Sequence, residues 1–122
     1  MNHINASVST HEKGNWGEDR AAEYLLTKGY KIICRKYRFR KGEIDCIAYD
    51  TDGTLVFIEV KSSLSKSQSP LFWVTPAKQR TIFRVAQHYL AEHNLTAIPC
   101  RFDVIALNRG VIDHLRNAFI RM

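Results

Sequence analysis

A chain of 122 residues, 45% hydrophobic and 25% charged, has room for one hydrophobic core and the composition of a soluble globular domain. Its formal net charge of +6 favours polyanionic partners, and no apolar run approaches the length needed to cross a bilayer. Cys34, Cys46 and Cys100 are an odd, widely spaced set with no Cys-x-x-Cys pair. They indicate neither a disulfide framework nor zinc, and they fit a reducing cytoplasm.

Residues 1–13 lack the apolar stretch of a signal peptide and read as a polar, disordered tail ahead of a single domain over 14–122. Residues 15–28 are predicted as a helix, with Asn15 as its cap and Gly29 as its stop. Glu18, Ala21, Ala22 and Leu25 fall at i, i+3, i+4 and i+7, so Glu18 lies on the inward stripe. Its plain explanation is attraction to the helix dipole, but a carboxylate buried without a partner is costly. Residues 31–39 should form a strand. No acidic residue occurs between Glu23 and Glu43, while Lys28, Lys31, Arg35, Lys36, Arg38, Arg40 and Lys41 crowd together around Tyr30, Tyr37 and Phe39. Such a segment either attracts a polyanion in a salt-dependent way or is a solvated basic edge strand.

Residues 43–49 and 54–61 are β-branched and aromatic runs separated by Asp50-Thr51-Asp52-Gly53, the signature of a hairpin. A three-residue loop with Gly53 at positive φ pairs Asp50 with Thr54 and sets Asp45 directly opposite Glu59. Glu43 and Asp45 then share a face, as do Phe57, Glu59 and Lys61. The other face carries Ile44, Cys46 and Ala48 against Val56, Ile58 and Val60. Opposed carboxylates repel, and a divalent cation offsets them best. Mg²⁺, with Mn²⁺ as a substitute, takes oxygen ligands and accepts a phosphate oxygen. Lys61 is placed to orient an attacking water or to neutralise developing charge. By itself Glu59-Val60-Lys61 is a plain surface ion pair; with Gly42-Glu43-Ile44-Asp45 on the facing strand, a metal-assisted phosphodiester site is favoured. How strand 31–39 meets this hairpin depends on the turn at Lys41-Gly42. A two-residue turn opposes Arg40 and Arg38 to Glu43 and Asp45; a three-residue turn puts Phe39 and Tyr37 there.

Residues 62–70 form a Ser-rich flexible loop, and Leu71 to Val74 an apolar cluster suited to core or a dimer contact. Thr75 caps a second helix with Pro76 in its first turn, and Ile82, Phe83, Ala86, Tyr89 and Leu90 form its buried stripe. Lys78 sits in the first turn, where the dipole disfavours a cation, which hints at a phosphate contact. Arg80 and Arg84 are expected on the outer face. Residues 100–107 read as an inner strand and 111–119 as an edge strand after a turn at Asn108-Arg109-Gly110. Arg101 and Asp103 share a face and are expected to pair. The five histidines show no ligand spacing and are expected at the surface.

The ordered motifs Gly17-Glu18, Gly42-Glu43-Ile44-Asp45, Phe57-Ile58-Glu59-Val60-Lys61, Lys78, Arg101-Phe102-Asp103-Val104 and Asn117-Ala118-Phe119 resemble the YraN-like family. Its members are small bacterial proteins distantly similar to archaeal Holliday-junction resolvases, of the restriction-endonuclease-like superfamily. Ser62 and Ser63 depart from the basic residue expected soon after Lys61. The element order α-β-β-β-α-β-β matches that superfamily's α/β sandwich, a central mixed sheet flanked by helices. The resemblance implies a Mg²⁺-dependent endonuclease acting on DNA, branched or junction DNA included, with RNA left open. Asp45 and Glu59 would hold the metal with the Val60 carbonyl, Lys61 would serve the water, and Glu43 and Glu18 would complete an acidic cluster. Lys36, Arg38, Arg40, Lys41 and Lys78 would contact nucleic acid, and a two-fold homodimer is implied. The competing expectation is a nucleic-acid-binding or partner-recruiting module that keeps the fold without turnover.

Overall fold

The computed structural model describes residues 10–62 and 74–119, with side chains from Trp16 onward. Helix α1 spans Thr10–Thr27, strands β1, β2 and β3 span Lys31–Phe39, Gly42–Tyr49 and Leu55–Ser62, helix α2 spans Pro76–Glu92, and β4 and β5 span Cys100–Asn108 and Val111–Phe119. The order is α-β-β-β-α-β-β, as the sequence predicts. The sheet runs β1-β2-β3-β4-β5 and is mixed: β3 and β4 are parallel and the other neighbours antiparallel. Strand β5 is an edge, as expected, and β4 lies inside. The expected loop 62–70 and the Leu71-Phe72-Trp73 cluster fall outside the described residues, except Ser62, which ends β3.

Helix α1 starts at Thr10, ahead of the expected cap at Asn15. Gly14 and Asn15 lower helix propensity without ending a helix. Its C-terminus closes on Gly29 at φ 88, where the Tyr30 N–H donates to the Leu25 carbonyl and the Gly29 N–H to that of Leu26, a Schellman motif. Thr75 caps α2, its hydroxyl accepting from the Lys78 N–H at 3.2 Å.

The sheet is apolar on both faces. Under α1 lie Cys46, Ala48, Val56, Ile58, Ile105 and Leu107; under α2 lie Ile47, Leu55, Phe57, Val104 and Ala106. The expected division into one apolar and one charged face is therefore corrected, with charge confined to the far end of the hairpin. Ile44 is also corrected, because it packs with the α2 layer rather than with Cys46 and Ala48.

The β2–β3 hairpin has the predicted loop. The Asp50 N–H donates to the Thr54 carbonyl at 2.9 Å, and Gly53 stands at φ 89. The β1–β2 connection follows neither expected register. Phe39 pairs with Gly42 and Arg38 with Glu43, so the loop is Arg40-Lys41, with Arg40 at φ 57. Gly42 is not a turn residue. A Cβ there would stand 2.5 Å from Val85 Cγ2 and 2.9 Å from Thr81 Cγ2, so its bare backbone lets α2 close on β2. Gly42→Ala is expected to destabilise by about 1–3 kcal/mol in urea unfolding. Wild-type stability would mean that α2 can back away freely.

Candidate active site

Beyond the pair Cys46–Ile58 the β2–β3 ladder stops, and Asp45 stands at that fork. Its Oδ2 accepts from the Val60 N–H at 2.7 Å, a side chain taking the place of a cross-strand carbonyl. Glu59 adjoins it closely enough to share a hydrogen bond. The two carboxyl groups thus meet, as the hairpin register requires. Burial first, and then the charge of Glu59, push the Asp45 carboxyl up to about 7, the Val60 N–H opposing them. Without a cation, the pair keeps a proton near neutrality.

Glu59 is 6% exposed. Its Oε2 lies 3.6 Å from the Lys61 ammonium and 3.6 Å from that of Lys78. Lys61 comes from the same strand, one repeat on; Lys78 comes from the first turn of α2. Lys78 was expected at a phosphate, yet the structure brings it to the carboxylate pair. Its awkward place against the helix dipole was the available signal.

Among the described residues, no three His, Cys, Asp or Glu side chains converge to hold a metal ion. Of the four expected acidic members, Asp45 and Glu59 meet, while Glu18 and Glu43 each face a cation of their own. Glu43 is engaged by Arg38, Nε to Oε2 at 2.7 Å, on the rim. Glu18 lies nearer. Gly17, whose Cβ would meet Ser62 Oγ at 2.5 Å, lets α1 approach the end of β3, and the charge of Glu18 adds to the rise at Asp45. Yet Glu18 Oε1 faces Lys36 Nζ at 2.9 Å, and this buried oxygen makes no hydrogen bond of good geometry. Lys36, which stands at φ 55, is where β1 departs from regular alternation.

The basic segment is likewise divided. Arg35 pairs with Asp19 at 2.7 Å, Lys36 with Glu18 and Arg38 with Glu43. Arg40 and Lys41, in the hairpin loop, have no carboxylate partner among the described residues.

A profile of the uncharacterised protein family UPF0102 matches residues 17–107. The chain belongs to this family. It is the YraN family that the motifs resemble. A UPF0102 protein of Prosthecochloris aestuarii is 49% identical, covering 93% of this chain and 97% of its own. One from Chlorobium chlorochromatii is 47% identical, covering 95% and 97%. Among solved structures, a repair endonuclease from Pyrococcus abyssi aligns at TM-score 0.48 and 19% identity over 87% of this chain and 41% of that one. An EndoMS–dsDNA2 complex aligns at TM-score 0.46 and 14% identity over 85% and 38%. The chain spans about two fifths of each of those two proteins.

This UPF0102 protein holds a second polar cluster, built around Asp103 on β4, which is fully buried. Asp103 accepts from Arg101 Nε at 3.0 Å, from the Asn117 N–H at 2.9 Å and from His114 Nε2 at 2.7 Å. Because a carboxylate only accepts, Nε2 of His114 carries a proton, and Nδ1 lies 3.0 Å from the Tyr24 hydroxyl. Arg101 also reaches Asp50 at 2.8 Å, and Arg116 reaches it at 3.0 Å. Burial would raise the Asp103 carboxyl, but hydrogen bonds from His114, Arg101 and Asn117 outweigh it and hold it below the ordinary range. The expected Arg101–Asp103 pair is present. The expectation of surface histidines fails at His114, whose side chain is 7% exposed. Among the described residues, no helix is long and apolar enough to cross a membrane.

Proposed function

We propose that this protein is a nuclease-like domain that cleaves DNA phosphodiesters with a divalent metal, Mg²⁺ or Mn²⁺, branched DNA being the favoured class. The observation that carries this reading is the pair of half-buried Asp45 and buried Glu59 at the strand fork, flanked by the ammonium of Lys61. The residues fit a hard cation. The fold brings two carboxyl groups together, and burial with the charge of Glu59 raises the Asp45 carboxyl. A divalent ion would relieve that penalty, and oxygen donors suit Mg²⁺. Asp45 and Glu59 would hold the ion with the Val60 carbonyl as a third protein oxygen. When bound, the ion polarises the phosphate and acidifies a water.

The chain's own groups do the rest. The Val60 N–H fixes the Asp45 carboxylate, so its free oxygen is aimed rather than mobile. Lys61 lies where it can orient the attacking water and neutralise charge building on the phosphate. Lys78, equally near Glu59, adds a second positive charge beside that carboxylate. Glu18 contributes field rather than ligation.

A second reading, a binding module without turnover, draws on one observation: each further acidic candidate is already occupied by a cation, Glu18 by Lys36 and Glu43 by Arg38. Purified full-length chain should be incubated with labelled linear, flapped and four-way DNA in Mg²⁺ or Mn²⁺. Strand scission is expected, reduced to background by Glu59→Gln and by about 10²–10³-fold in Lys61→Ala. Absence of scission on all three substrates, with binding intact, would sink the nuclease reading and leave the module.

A further inference from the structure

Of the cations expected at nucleic acid, Lys36 and Arg38 face acids, while Arg40 and Lys41 have no carboxylate partner among the described residues. Helix α2 carries no acidic residue from Pro76 to Ala91. Its residues Lys78, Thr81, Arg84 and His88 form one broad stripe. Lys78, Thr81, Arg84 and His88 all reach the sheet near the β1–β2 loop or the end of β3. Lys78 meets Glu59. Arg84 places a guanidinium nitrogen 3.5 Å from the Cβ position of Gly42, which Thr81 also approaches. His88 stacks on Phe39, ring centroids 3.7 Å apart and planes 9° from parallel. The Arg40 guanidinium lies 5.2 Å from the centroid of that same Phe39 ring. Among the described residues neither Arg84 nor Arg40 has a carboxylate partner, and neither does Lys41. On β1, by contrast, Arg35, Lys36 and Arg38 are each spent on an acid.

From these contacts we infer that Lys78, Arg84, Lys41 and Arg40 form a track for the phosphate backbone of one nucleic-acid strand, leading away from the carboxylate pair. The inference rests on the nucleic-acid reading above. It keeps Arg40, Lys41 and Lys78 of the expected contacts, sets aside Lys36 and Arg38 and adds Arg84, so that the surface is the seam between α2 and the β1–β2 loop. From Lys78 to His88 the helix rises about 15 Å, which at 3.4 Å per nucleotide spans about four nucleotides. The aromatic rings do not read bases here. With His88 and Arg40 both against it, Phe39 offers a base little open face, so the stack serves to mount Arg40 rather than to receive a nucleobase. Binding along the track is therefore independent of sequence, since phosphate contacts position without specifying.

The test is fluorescence anisotropy of the full chain in EDTA, with two labelled DNA duplexes of unrelated sequence titrated across a salt series. Arg40→Ala/Lys41→Ala/Arg84→Ala is expected to weaken binding about 100-fold for both duplexes. The slope of log affinity against log salt should fall by about 1 per cation removed. Arg35→Ala and Arg38→Ala should stay within about threefold of wild type. Lys41→Gln alone, in the exposed loop, serves if the triple variant melts early, and it should lower the slope by about 1. An unchanged slope in the track variants, an equal loss in Arg35→Ala or Arg38→Ala, a loss confined to one duplex, or no binding by wild type would overturn the track. Its failure is distinct from that of the nuclease reading: cleavage with normal binding by the track variants removes the track alone. Track-dependent binding without any cleavage removes the nuclease alone.

Discussion

Asp45→Asn is expected to abolish metal-dependent cleavage while raising the melting temperature of the metal-free protein at pH 8. The two effects share one cause. The Asp45 carboxyl is pushed up to about 7 from an ordinary 3.8, by burial first and by Glu59 second. Between those values the folded chain holds a proton that the unfolded chain has released. Stability therefore falls as pH rises through the window, and the full penalty is present above it. By linkage that penalty is on the order of 2–4 kcal/mol, roughly 8–16 °C for a domain of this size. Asparagine carries no charge to penalise, yet its carbonyl can still accept from the Val60 N–H. The Asn variant should thus melt higher than wild type at pH 8 and match it near pH 4, with EDTA present at both. Added Mg²⁺ should close the gap by stabilising wild type alone, since whatever binds only the folded state raises its stability. Equal melting of the two proteins at pH 8 would mean that the carboxylates are not crowded. On the proposed reading, the pair surrenders stability for function.

Asp103→Ala is expected to destabilise by about 3–5 kcal/mol, a loss of roughly 12–20 °C in melting temperature. The substitution strands three donors at once: the Arg101 guanidinium, the His114 ring and the Asn117 N–H. Arg101 keeps Asp50 and Tyr30 as partners, which limits the damage on that side. His114 has no comparable reserve on Nε2. The carboxyl of Asp103 is held below its usual range, so its stabilising contribution is complete above the unfolded-state value and is lost as pH falls through the folded one. The difference between wild type and Asp103→Ala should accordingly shrink in acid. Below the melting point, binding and cleavage per folded molecule should be unchanged. A variant that melts like wild type but loses activity would assign this cluster to the chemistry instead.

The hairpin was legible because a single residue fixes it. Gly53 at positive φ sets the loop length, the loop sets the register, and the register brings Asp45 to Glu59. Helix α2 was legible for a similar local reason, Thr75 and Pro76 marking its start. The β1–β2 connection was not, because Gly42 resembles a turn residue and serves instead for the close approach of α2, a tertiary demand with no local sign. The assignment of acids to cations was hidden for the same reason. Whether Glu43 meets a metal or Arg38 depends on register in β1, and whether Glu18 does depends on where Lys36 leaves the strand. The Asp103 cluster draws on α1, the β2–β3 loop, β4 and β5 through residues spread from Tyr24 to Asn117, so no spacing announces it. His114 looked like any exposed histidine until Asp103 was found beneath it.

The absence of a methyl group at Gly42 also sets a ruler. Since α2 rests directly on β2 there, with Thr81 and Val85 against bare backbone, the separation between the loop cations and Lys78 is fixed by helix rise rather than by side-chain reach. A bulkier residue at that point would lengthen the ruler at one end only. On the proposed reading, the nucleotide presented to Asp45 and Glu59 would then shift along the strand while both carboxylates stay unchanged.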